Sequence, residues 1–289
     1  PPNAARPRRE ARSLAVSNET SAKAPQDSSD EVLTKLLLSL WAVTKPLAFA
    51  KDFAVYQQIG TDQKLEGPRV LIATIAALTL DAVMTSWLCA KHDALRQVTV
   101  LQRQLFEYSV RTCYYVVDQV IADRHWRSTN QQFLRVARKL QGEGTPEFKE
   151  FEKRVLANDS GFSSGTNAQT SAKPNLSEMC NRIYGKTLGE RFYGLHYTIP
   201  SAVAHGAPAA FADVFEQVGT GYRLRVSGAG MKSAHFALAA IAQCGINVAG
   251  ACASVFDAPK VVESVVLAEK FYSSFGFDKS LLVPRHFTL

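Results

Sequence analysis

Tyr193, Tyr197, Ser201 and His205 are spaced by four, which sets three hydroxyls and an imidazole along one slowly turning helical stripe. Such a row can orient a ligand through hydrogen bonds or pass a proton along its length. Ser201 has no Gly-x-Ser-x-Gly elbow around it, so the row is not a hydrolase triad in waiting. A second row, Arg103, Glu107, Tyr114 and Asp118, falls within about 60° of one direction when projected at about 100° per residue. Arg103 and Glu107 are four apart and can bridge, with Arg111 one turn further on. Leu101, Leu105, Val110 and Val117 occupy other faces of the same helix, which predicts a central element with buried charges. Buried charges persist only when paired and hydrogen-bonded. The tyrosine-rich segment is the best source of partners.

Taken together, Arg103-x-x-x-Glu107 on a long helix and, after a variable loop, Tyr193-x-x-x-Tyr197-x-x-x-Ser201-x-x-x-His205-Gly206 resemble a bacterial family of uncharacterised helical proteins. The resemblance spans Leu101 to Gly206. It implies a helical core with Arg103, Glu107, Tyr193, Tyr197, Ser201 and His205 as key residues, and it implies no activity. Arg191 to His196 reads Arg-x-x-x-x-His, which is similar to the catalytic pattern of the HEPN superfamily, helical bundles that include metal-independent RNases of toxin and antiphage systems. That resemblance implies a catalytic pair in which Arg191 stabilises developing phosphorane charge and His196 serves as acid or base, usually across a dimer interface. Phe192 stands where such sites often carry a polar residue.

Two functional expectations follow. In the first, the Arg/Glu/Tyr/Ser/His cluster binds a ligand or partner, or has a structural role. The alternative is a HEPN-like metal-independent endoribonuclease of a toxin or antiphage defence system. The alternative requires Arg191 and His196 to be accessible, adjacent and facing a basic groove, preferably at a two-fold interface, and with His196 packed in apolar core it fails at that residue.

The elements that must position these residues read as helices. Val32, Leu33, Leu36, Leu37, Leu40 and Trp41 recur at helical spacing, and Pro46 should kink or end that helix before a second segment reaches Gln58. Val70–Ala90 and Phe236–Phe256 are long apolar runs that by length could span a bilayer. Asp81 near the midpoint of one, and Gln243 and Asn247 in the other, favour buried core helices, so no membrane is expected. One helix is predicted over Ala94–Ala122, then Arg124–Leu140, Pro146–Leu156, Leu176 to about His205, Pro208–Gln217, Lys232–Phe256 and Pro259–Phe275. The fold class expected is all-α, a multi-helix bundle with buried central helices and at most one short β hairpin near 220–227. The domain boundaries are a disordered basic arm over 1–30, one helical-bundle domain over 31–277 with a mobile loop at 158–174, and a C-terminal tail over 278–289.

Composition narrows the partners. The 289 residues carry a net charge of +7, and Lys91–Lys139 alone holds nine basic residues against four acids. Such a stretch can attract RNA or another anionic partner, and a homodimer is the other partner considered. Cys89, Cys113, Cys180, Cys244 and Cys252 are scattered in apolar runs without a Cys-x-x-Cys pair, which reads as core packing in a reduced compartment and gives a cytoplasmic expectation. No metal ligand set and no cofactor motif is expected. Gly228-Ala-Gly230-Met231-Lys232-Ser233 lacks the glycine that a phosphate loop places before its lysine, and His92, His125, His235 and His286 lack metal-ligand spacing.

Overall fold

The computed structural model describes residues 29–60, 67–92, 94–141, 144–159, 174–205, 215–224 and 231–283. Ten α-helices occur among them: α1 (Ser29–Gly60), α2 (Gly67–Lys91), α3 (Leu95–Val117), α4 (Gln119–Gln141), α5 (Pro146–Asp159), α6 (Leu176–Tyr184), α7 (Lys186–Tyr193), α8 (Ile199–Ala204), α9 (Met231–Phe256) and α10 (Pro259–Ser274). A π-helical segment, Gly194–Thr198, joins α7 to α8. A single antiparallel hairpin, β1 (Phe215–Val218) with β2 (Gly221–Leu224), turns at Gly219 in the left-handed region. The expectation of an all-α bundle with one short hairpin holds. The hairpin lies at 215–224, a few residues earlier than its alternating pattern suggested, and Gln217 sits in a strand rather than a helix.

Helix α9, which carries no Asp, Glu, Lys or Arg beyond Lys232, is the axis of the bundle. Its alanines and Gly245 present almost no bulk, so α1, α2, α3 and α10 all pack against it. A Cβ on Gly245 would collide with Val43 of α1, which is why that position carries none. Leu238, Ile241, Val248 and Ala249 are fully buried there, and Leu36, Leu40, Val43 and Leu47 of α1 meet them in the same core. Pro46 does not end α1, which runs unbroken through it with Pro46 itself buried. Burial of apolar side chains along α1 outweighs the one backbone bond that proline removes.

Two helix boundaries and the end of the domain depart from the sequence pattern. The long helix expected over Ala94–Ala122 breaks at Asp118, whose backbone leaves the helical region (φ −130°, ψ 82°). Its carboxylate accepts a hydrogen bond from the Ile121 N–H at 3.1 Å, so it caps the next helix instead of extending the last. Gly185 separates α6 from α7 with φ 79°, a value glycine alone adopts freely. The expected C-terminal tail is core up to Val283: Leu281 and Val283 are buried, and both are tied to α9 by the side chains of Gln243 and Asn247. Of the arm expected over 1–30, Ser29 and Asp30 already belong to α1, and of the loop expected at 158–174, Asn158 and Asp159 belong to α5; residues 1–28 and 160–173, Gly206 with residues 207–214, the glycine-rich stretch 225–230 and residues 284–289 lie outside the described residues.

Candidate functional site

Helix α3 lies against α6, the π segment and α8, and this seam collects most of the chemistry anticipated from sequence. Pro200 sets its shape. Proline at the second position of α8 cannot donate to the turn before it, and the chain widens so that the Ile199 N–H reaches back to the Gly194 carbonyl. The widening lies between Tyr193 and Ser201, so the four-residue spacing no longer draws one straight stripe. Tyr193 and Tyr197 remain together, their rings stacked with centroids 5.1 Å apart. Ser201 is half-buried and His205 exposed, and neither side chain is hydrogen-bonded to α3 among the described residues.

Across the seam, Arg103 donates from Nη2 to the Tyr197 hydroxyl at 3.1 Å, and its guanidinium lies 4.8 Å from the Tyr197 ring centroid. Its Nε–H is buried without a partner. The expected Arg103–Glu107 bridge is absent because Glu107 is held by Arg111, at 2.8 Å and 2.9 Å from two guanidinium nitrogens. Arg111 also reaches Tyr115, and that hydroxyl meets His125 in a short hydrogen bond. The Arg111 side chain thus has a carboxylate and a phenol, and Arg103 has a phenol alone. Burial lifts the Tyr193 hydroxyl above its ordinary pKa, with Tyr197 adding to the effect, so it stays protonated and able to donate.

Tyr114 and Asp118 stand at the far end of α3. Burial and the neighbouring Asp118 raise the Tyr114 pKa, and Arg182 of α6 lies close enough to oppose them. These two residues belong to the α3–α4 corner rather than to the Arg103 seam.

His196 sits deeper. It is 3% exposed, its Nδ1 accepts from the Gln102 amide at 2.8 Å, and Phe236 stacks on it at 4.9 Å with Phe106 and Phe192 on other sides. Burial pushes its pKa down to about 4, only partly opposed by Asp278. A neutral imidazole sealed in this way has no route to a phosphodiester. Arg191, by contrast, is exposed on α7. The structure therefore does not present Arg191 and His196 as one accessible catalytic pair. Gln102, which sets the tautomer of His196, was not singled out from sequence. Its signal was its place beside Arg103, one turn before Phe106.

Comparison with protein-family models, with curated proteins and with solved structures finds no match to this chain.

Other candidates resolve differently. Cys180, Cys244 and Cys252 are buried thiols pushed up to about 12 by desolvation, and Cys113 is raised further still, so these four pack rather than react. Among the described residues no three His, Cys, Asp or Glu side chains converge as metal ligands. The basic stretch is partly neutralised, since Arg111, Arg127 and Arg138 pair with Glu107, Asp123 and Glu152. A cleft of about 290 Å³ opens at the start of α2, lined by Arg69, Tyr115, Gln119 and Ser254 among others, and Arg103 takes no part in it.

Proposed function

We propose that this chain is a binding protein that holds a small oxyanion-bearing ligand at the seam of α3 with the π segment, beside Tyr193 at the end of α7. One observation carries the reading: Arg103 is fixed in place by Tyr197 while no carboxylate of the described residues neutralises it. A partly buried cation left without a counter-charge is costly unless an anion completes it. The Tyr197 hydroxyl accepts from Arg103, so its own proton is free to point outward, and the protonated Tyr193 hydroxyl stands beside it. A guanidinium edge and two phenol donors suit a carboxylate or phosphate group.

Thermal melts with millimolar inorganic phosphate, benzoate and adenosine monophosphate test the proposal. At least one probe should raise the Tm of the wild-type protein, as binding to the folded state requires. Arg103→Met and Tyr197→Phe should lose that shift while keeping a folded protein. If no probe moves the wild-type Tm, or if Arg103→Met responds equally, the seam is structural and the binding assignment fails.

A further inference from the structure

Three helices are long and apolar enough to cross a membrane, yet they are treated very differently by the fold: Ala234–Phe256 is 89% buried, while Gly67–Lys91 is 44% buried and Ser29–Asp52 only 33%. Apolar surface is left over on two helices that pack on each other. Leu38, Trp41 and Phe49 of α1 and Leu78, Met84 and Leu88 of α2 are large, exposed and on adjacent helices, with the Trp41 and Trp87 rings 6.1 Å apart. A patch of this kind on a folded chain marks an interaction surface.

Two charges interrupt it, and they decide its occupant. Lys45 of α1 and Asp81 of α2 are both exposed, and neither has an ion-pair partner among the described residues; Lys45 only overhangs Phe49. The Trp41–Trp87 contact sets the register of α1 against α2, which run antiparallel across the short connection between Gly60 and Gly67. From that contact Lys45 lies four residues along α1 and Asp81 six residues back along α2, so the two charges stand about 6 Å and 9 Å from it at 1.5 Å per residue. They are therefore at nearly the same height on neighbouring helices. A two-fold axis running between the two helices along their length brings each Lys45 onto the other copy's Asp81, while the apolar residues of α1 above and below meet those of the other copy's α2. Lipid offers no such partner, and a carboxylate near the middle of a lipid-facing helix is unfavourable.

We propose that the exposed face of α1 and α2 is an isologous interface on which a second copy of this chain docks, with Lys45 and Asp81 paired reciprocally across the two-fold. The proposal is independent of the ligand assigned to Arg103.

Size-exclusion chromatography with light scattering on the full chain should give twice the 31.7 kDa chain mass. Asp81→Lys should give a monomer with an unchanged circular dichroism spectrum, and the double variant Lys45→Asp, Asp81→Lys should return to the dimer. Should Asp81→Lys fail to fold, Lys45→Asp asks the same question from the other side of the pair. A monomeric wild type, a double variant that stays monomeric, or single variants that all remain dimeric would overturn the proposal. Co-sedimentation of the wild type with phosphatidylcholine vesicles would overturn it in favour of a lipid occupant.

Discussion

His196 shows how burial sets the protonation state of a candidate catalyst. Its ordinary pKa of 6.5 falls to about 4 because the surrounding phenylalanines deprive the imidazolium of water. The folded protein keeps the ring neutral while the unfolded chain takes up a proton as pH drops through about 6.5. Stability is therefore full above that pH and is lost progressively as pH falls toward 4, by about 3 kcal/mol in total. Urea melts over pH 7 to 4 should show that slope in the wild type, and it should flatten in His196→Phe. A slope identical in both would place the acid sensitivity elsewhere. Arg191→Ala should leave Tm unchanged within a degree and leave any ligand-induced shift intact, since the side chain is exposed and the seam's donors lie on Arg103, Tyr193 and Tyr197.

At the scale of elements, two backbone features position the site. The π segment, forced by Pro200, turns Tyr197 toward Arg103 and leaves His205 outside. Replacing Pro200 with alanine restores a donor at that position and should let the segment relax toward a regular helix, weakening any Arg103-dependent ligand shift more than the Tm itself. The second feature is the close approach of α9 to α1 at Gly245. Gly245→Val must push Val43, Val83 and Leu47 apart, and overpacking of this kind costs about 1–3 kcal/mol. Guanidinium titration should show that loss as a lower midpoint.

For the whole molecule, the unexpected load falls on the C-terminal segment. Gln243 accepts from the Leu281 N–H at 3.0 Å and donates to the Tyr272 hydroxyl, and Asn247 donates to the Leu281 carbonyl at 2.8 Å while accepting from the Val283 N–H. Tyr184 of α6 donates to the same Leu281 carbonyl, so one short stretch of chain ties α6, α9 and α10 together. Removing residues 278–289 takes the Leu281 N–H from the Gln243 carbonyl and both the Leu281 carbonyl and the Val283 N–H from Asn247 inside apolar core, at about 1–3 kcal/mol for each unsatisfied group. The truncated protein should melt well below the full chain and bind 8-anilinonaphthalene-1-sulfonate, whereas a melt unchanged by the truncation would refute this role.

The helices were legible because apolar spacing reports which face is buried, whatever it is buried against. The same pattern located α3, the tyrosine-rich segment and the scattered core cysteines. It could not say which of two neighbouring arginines takes Glu107, since Arg103 and Arg111 stand at equal spacing from it along the chain and only the packing of Tyr197 and Tyr115 separates them. Nor could it foresee that Gln243 and Asn247, which read as mild interruptions of an apolar helix, hold the end of the chain, because their partners lie more than 30 residues away. Periodicity is local and fixed the elements; hydrogen-bond partnership and burial depth are properties of the assembled bundle, and they decided which polar residues are sealed in and which are left facing out.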